Sequence, residues 1–365
     1  MSMYQTRSAP LTRRDALRQL GTAGLGAAAA PSLVSELLAA PRQAGQVTFP
    51  DGAVIRTLVG DVDPEALAHG ATLFHEHLSI YDPMPPWLTP PAESREHYTT
   101  NLDLMVEEVN ATAQDGVSCI VNGGTKDLGQ NVSRLRALAE RVDLHVVLAG
   151  GLWTQPRYPP EIAEQTEEQV SDAFQRDAAA EGWGAIGEIG SSMTMHPDER
   201  KVLRASCTVH LRTGLPLFTH TPHQGCQPCP IEQLDIIESM GVDPRLVCLG
   251  HLSDITDDPT AETHKGLARR GAFLGFDTVG HRLGQGDARK VEMVVACIDA
   301  GFEDHVLLSA DFTVEQELKM NAGAGYSSVL AIFVPKLRYA GVPEATIQKI
   351  LVDNPRRFLA FVPKV

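Results

Sequence analysis

Basic residues are scarce beside acidic ones: 31 Lys+Arg stand against 46 Asp+Glu in 365 residues, a formal net charge of −15. Such a chain repels polyanions and forgoes the counterion release that drives nucleic-acid binding, so no nucleic-acid partner is expected. Cysteine is also sparse, with six residues at 119, 207, 226, 229, 248 and 297, too few and too scattered for a disulfide scaffold. Past residue 45 no strongly apolar run reaches about 20 residues, so the mature chain is not expected to span a membrane. No Gly-x-Gly-x-x-Gly phosphate loop follows the first apolar run, which argues against an open dinucleotide-binding sheet. Aromatics make up only 5%, yet the chain is 43% hydrophobic and 21% charged, ordinary proportions for a globular protein with a sizeable core.

The N-terminal stretch is set apart from the rest. Thr12-Arg13-Arg14-Asp15-Ala16-Leu17-Arg18 pairs two arginines ahead of a weakly apolar, Gly- and Ala-rich segment from Leu20 to Leu38. This is the pattern of a twin-arginine export signal, which carries proteins that are already folded. The expectation is a signal over residues 1–44, a mature chain over 45–365, the twin-arginine machinery as a partner, and a periplasmic or secreted location.

Beyond residue 45, short apolar or β-branched runs alternate with longer amphipathic segments, as βα units of a parallel sheet do. Eight strands are predicted: Ala71–Leu78, Cys119–Gly124, His145–Gly151, Gly184–Gly190, Pro216–Thr221, Val247–Leu252, Ala272–Asp277 and His305–Asp311. Helical patterns such as Asn131–Arg141 and Asp287–Ala300 lie between them. Eight such units with no linker predict one α/β domain, a (β/α)8 TIM barrel, with Val54–Ala66 as a short N-terminal β-hairpin over its floor.

Polar side chains collect where a barrel places its chemistry, at the carboxyl ends of the strands. Phe74-His75-Glu76-His77 ends the first, and alternation puts His75 and His77 on one side with Glu76 opposite. Glu188 ends an apolar, glycine-rich fourth strand, where a carboxylate without a cation would be costly to bury. His220, His251 and Asp311 end the fifth, sixth and eighth. Imidazoles and carboxylates suit divalent transition metals, Zn²⁺ first, with Mn²⁺ or Co²⁺ as alternatives.

The order of these residues resembles the amidohydrolase superfamily, and the fuller wording is similar to its phosphotriesterase family. The phrases that carry the likeness include Thr72-Leu73-Phe74-His75-Glu76-His77-Leu78, Gly250-His251-Leu252-Ser253-Asp254, Leu308-Ser309-Ala310-Asp311 and Asp353-Asn354-Pro355-Arg356-Arg357-Phe358-Leu359. Where the best-known organophosphate-degrading members carry a carboxylated Lys, Glu188 stands here, as in the phosphotriesterase-related subgroup. The resemblance implies a binuclear hydrolase in which His75, His77 and Asp311 hold a buried metal and His220 and His251 a more exposed one, bridged by Glu188 and a hydroxide. It implies that Asp311 takes the proton of the attacking hydroxide and that Asp254 relays it, with Thr278 in place of the relay's intermediate His, so that water completes the exit. Asp254 has an alternative reading as a helix N-cap.

Trp153 matches a substrate-pocket Trp of the family, and Asp277 and Thr278 at the seventh strand end are candidates for orienting substrate. His223-x-x-Cys226-x-x-Cys229 is half of a zinc pattern without a fourth ligand, which leaves a local disulfide or two free thiols as the stronger readings. Asn321-Ala322-Gly323-Ala324-Gly325-Tyr326 is read as a loop that closes over substrate or a tight turn. The expected activity is hydrolysis of a small-molecule carboxyl ester or lactone, with phosphotriester or N-acyl amide hydrolysis as alternatives and a homodimer as an open assembly. A deoxyribonuclease of the same superfamily shares the Gly187-Glu188-Ile189-Gly190 phrase but suits neither the acidity nor the export signal, and a non-catalytic periplasmic binding protein is the remote alternative.

Overall fold

The structure, a computed structural model, describes residues 47–81, 85–88, 99–255, 257–258, 260–280 and 286–364. Arg13, Arg14 and the rest of the expected export signal lie outside the described residues. Strands β1 (Ile55–Thr57) and β2 (Gly60–Val62) pair antiparallel as the expected hairpin. Ile55 packs with Leu67, Phe74, Val147 and Phe218, so the hairpin closes one end of the sheet's interior.

Eight parallel strands follow: β3 (Ala71–Glu76), β4 (Val117–Asn122), β5 (His145–Gly150), β6 (Ala185–Gly190), β7 (Leu217–His220), β8 (Val247–Leu249), β9 (Phe273–Phe276) and β10 (Val306–Leu308). They pair in chain order from β3 to β10. The two ends meet past the ladders, where Asp311 N–H donates to the His75 carbonyl at 3.3 Å and His75 N–H donates to Ser309 Oγ at 3.1 Å. Glu76, facing away from the two histidines, accepts from Ser309 Oγ, Ala310 N–H and Phe312 N–H at 2.8, 2.7 and 3.0 Å. One buried carboxylate thus ties the first strand to the last, and burial pushes it up to about 8. The architecture is a TIM barrel.

Strands buried on both faces read as apolar runs, and their side chains separate accordingly. Leu73, Ile120, Leu148 and Ile186 join the core beneath the helices, whereas Phe74, Val121, Val147 and Phe218 fill the interior. Helices α1 (Leu102–Gln114), α2 (Val132–Ala139), α3 (Glu167–Glu181), α4 (Pro197–Thr213), α5 (Pro228–Ser239), α6 (Glu262–Arg269) and α7 (Asp287–Asp299) follow β3 to β9 in turn. Their ends follow capping chemistry. Thr166 and Gln169 form a capping box at the start of α3, and Gly182, at φ 73°, ends it in the left-handed conformation before β6. No described helix is long and apolar enough to cross a membrane.

The sixth and eighth barrel strands end earlier than the sequence suggests, at Leu249 and Leu308 rather than Leu252 and Asp311. The reason is local: His251 and Asp311 both sit at φ 56°, a left-handed backbone that cannot continue a ladder. Non-glycine residues in this region cost energy and concentrate at functional sites.

Candidate active site

The carboxylate of Glu188, on β6, lies within reach of four imidazoles. Its Oε2 is 2.8 Å from His220 Nδ1, 3.4 Å from His75 Nε2 and 3.6 Å from His251 Nε2, and its Oε1 is 3.4 Å from His77 Nε2. Asp311 completes the ring, with Oδ1 2.9 Å from His77 Nε2 and 3.7 Å from His75 Nε2, and Oδ2 3.9 Å from His251 Nε2. Six side chains from five strand ends therefore converge, all of them 10% exposed or less. Room for them is made by the backbone: a Cβ at Gly123, just past β4, would fall 2.4 Å from His75 Cδ2.

Burial by itself favours the neutral form of every group in this cluster. For His75 burial is outweighed by Glu188 and Asp311, which together with Asp277 lift it to about 10. His220, buried beside the charge of His251, falls to about 4. Despite burial, His75 and His220 hold Glu188 well below the usual carboxylate range, and His75 and His77 hold Asp311 below it. Three converging atoms, His75 Nε2, His251 Nε2 and Asp311 Oδ1, are buried with no hydrogen-bond partner among the described residues. Buried polar atoms are rarely left so, and these three are metal-ligand types. The donor atoms of His75, His77 and Asp311 lie within 4.8 Å of one another, a set that fits one divalent cation. His220 and His251, their ring centroids 4.3 Å apart and both near Glu188 Oε2, are of the type that could hold a second.

Asp277 and Thr278, expected near substrate, are both buried, Asp277 against the imidazoles of His75 and His251 and Thr278 against Ser253, Asp254 and Lys290. Asp277 is fully buried, with Oδ2 2.9 Å from His75 Nδ1 and Oδ1 accepting from the His251 N–H at 2.8 Å. Both oxygens are engaged by the two histidines, and Asp277 is absent from the described residues that line the cavity. Thr278 Oγ1 donates to Asp254 Oδ1 at 2.9 Å, and Lys290 Nζ, buried on α7, donates to Thr278 Oγ1 at 3.1 Å. Asp254 does not cap a helix. That task belongs to Asp258, which accepts from Glu262 and Thr263 N–H at the start of α6. The second oxygen of Asp254 lies 2.7 Å from His223 Nδ1.

Trp153 follows β5, its backbone N–H donating to both oxygens of buried Asp127 at 3.0 Å and its ring centroid 5.1 Å from that of His220. With Tyr81, His223 and Thr313 it lines a cavity of about 160 Å³ whose floor includes Glu188 and Asp311. The Asn321–Tyr326 segment is pinned rather than open. Tyr326, fully buried, donates its hydroxyl to the His77 carbonyl at 2.7 Å. Cys226 and Cys229 form a disulfide at the start of α5, so the zinc alternative for these thiols does not hold. Arg157 stands beside two residues of this lining, without any motif that marks it in the sequence. Its guanidinium stacks over Tyr81 and Trp153, 4.8 and 5.4 Å from their centroids. Lys290 has a readable signal, since it falls on the same helical face as Val291 and Val294.

A sequence model of the phosphotriesterase family matches residues 53–359. The chain belongs to that family. Members are typically binuclear metal-dependent enzymes, and this chain is a metal-dependent hydrolase. The N-acetyltaurine hydrolases of Bos taurus and Mus musculus are 27% identical over 350 residues and 28% over 351, covering 84% of this chain and 98% of each relative. Among solved structures, a phosphotriesterase homology protein from Escherichia coli, complexed with phosphate in its active site, superposes with a TM-score of 0.73 at 28% identity over 82% of this chain and 100% of that one. A resiniferatoxin-binding protein from Rhodobacter sphaeroides gives 0.75 at 30% identity, covering 84% and 95% of the two chains. A lactonase from Listeria monocytogenes shares the fold, with a TM-score of 0.74 at 23% identity over 84% and 99%.

Proposed function

We propose that this family member is a binuclear hydrolase of a small carboxyl ester or lactone. The observation that carries the reading is the placement of Glu188 within 3.6 Å of four imidazoles, with Asp311 within 3.9 Å of three of them. Two divalent cations at such a site would supply hydroxide near neutral pH and polarise the scissile carbonyl. His75, His77 and Asp311 would hold one, His220 and His251 the other, with Glu188 between them. The protein's own part is to hold these groups rigid and to move a proton. Asp277 fixes the rings of His75 and His251 from behind, and Asp311, at the cavity floor, accepts the proton of the attacking nucleophile through its carboxylate. Trp153 and Tyr81 wall the cavity and limit its water.

A second reading, hydrolysis of an N-acyl amide with an anionic tail, is favoured by Arg157. Its cation stacks on two aromatic residues that line the cavity, and its charge also reaches the buried carboxylate of Asp127. In a chain of net charge −15, a positive charge kept there suits a carboxylate or sulfonate. The similarity to N-acetyltaurine hydrolases points the same way. Turnover measured across lactones, aryl esters, phosphotriesters and N-acyl amino acids or N-acyltaurines tests both readings. Ester or lactone turnover supports the first, selective cleavage of anionic amides the second, and phosphotriester turnover alone overturns both.

A further inference from the structure

The loop between β7 and α5 carries a histidine that neither reading employs. His223 follows His220 by three residues, and its ring centroid stands 5.1 Å from that of His220 and 4.2 Å from that of His251. The donor atoms of His220, His223 and His251 all lie within 4.8 Å of one another. His223 is not placed there by packing, since its side chain is 47% exposed while Asp254 beside it is 4% exposed. Its position is instead held by a charge. Asp254 Oδ2 lies 2.7 Å from His223 Nδ1, and Asp254 is itself fixed through Oδ1 by the Thr278 hydroxyl, with the buried Lys290 ammonium behind it.

A carboxylate on one ring nitrogen selects the tautomer, orients the imidazole and raises the basicity of the other nitrogen, which is the arrangement that supports histidine ligands in metal sites. With Nδ1 taken by Asp254, Nε2 is the atom left to bind. We propose that His223 is a third imidazole of the more exposed metal position, joining His220 and His251, and that Asp254 is its anchor. The inference rests on the binuclear reading of the site and adds a ligand to it. A third imidazole would join two imidazoles and one shared carboxylate oxygen as a fourth protein ligand, and expansion to five-coordination would keep one position for water or substrate. It also gives the short run His220-Thr221-Pro222-His223 a purpose, because the Cys226–Cys229 disulfide and the start of α5 close the loop directly behind it. Asp254 then acts as a positioning residue, working through His223 and not on substrate.

The test is a cobalt titration of chelator-stripped full-length protein, followed by bound metal and by the visible absorption of Co²⁺, for wild type, His223→Ala and Asp254→Asn. Wild type takes up two ions. In His223→Ala the first ion binds as in wild type, which doubles as the folding control, while the second binds about 10–100-fold more weakly and its absorption band shifts. Added imidazole restores the band. Asp254→Asn weakens the second ion in the same direction by a smaller factor, and it reads the same point should His223→Ala fail to bind the first ion. A His223→Ala or Asp254→Asn protein that keeps second-ion affinity and spectrum while its KM alone rises overturns the proposal and makes His223 a substrate contact. Uptake of fewer than two ions by wild type overturns the binuclear reading itself, and the two failures are thereby distinguished.

Discussion

Asp277 joins the two halves of the site: its Oδ2 lies 2.9 Å from His75 Nδ1 and its Oδ1 lies 3.1 Å from His251 Nδ1, so one buried carboxylate orients an imidazole of each proposed metal position. Both histidines in turn hold Asp277, despite its burial, far below the usual carboxylate range. Asp277→Asn keeps the shape and loses the charge. It should weaken both metals together by about 10–100-fold, the usual cost of removing such a supporting group. Metal titration reads this directly, and loss at one position only would mean that the two rings are held independently.

The stacked Arg157 makes a different kind of prediction. If its guanidinium receives an anionic tail, Arg157→Ala should raise KM for N-acyl amino acids or N-acyltaurines about tenfold, close to 1.4 kcal/mol, with kcat little changed. Neutral amides and esters should be unaffected. Equal losses on neutral and anionic substrates would assign Arg157 to packing against Tyr81 and Trp153 alone.

A pH dependence follows from Asp127, which accepts from the Thr125 hydroxyl and the Trp153 N–H. Burial raises it from its ordinary value to about 6, against those hydrogen bonds. Between about pH 4 and pH 6 the native state therefore binds more protons than the unfolded chain, and stability falls as pH rises through that window. Asp127→Asn removes this loss. Relative to wild type it should gain about 2–3 kcal/mol between pH 4 and pH 7 in denaturant unfolding, since each tenfold change in proton affinity is worth about 1.4 kcal/mol. A difference between the two proteins that does not vary with pH would contradict the assignment.

Much of the fold and site was legible because single residues break a rule of burial. The barrel strands are apolar runs, and a His, Glu or Asp at the end of such a run is a cost that needs a cation or a partner, which is how His75, Glu188 and Asp311 stand out. The hidden features depend on contacts between distant loops. Asp254 and His223 are 31 residues apart and meet only because β7 and β8 are neighbours. Glu76 reads as a polar residue on the far side of β3, and only closure onto Ser309–Phe312 gives its carboxylate three donors. The strand ends at His251 and Asp311 could not be read because both residues take a left-handed backbone that non-glycine residues rarely adopt and that local propensity does not signal.

Export by the twin-arginine route remains a proposal carried by Arg13 and Arg14. Changing both to Lys preserves charge and removes the recognised pair, so full-length folded precursor should accumulate in the cytoplasm. Normal export of the double variant, followed by fractionation and immunoblotting, would contradict it.

The central claim is a pair of metals held around Glu188, and metal content measures it most directly. Protein loaded with excess Zn²⁺ or Mn²⁺ and freed of loose ions should retain two ions per chain, and Glu188→Gln, which removes the charge between them, should lose the more exposed ion first. One ion or none in the wild type, or two ions held equally well by Glu188→Gln, would contradict the account.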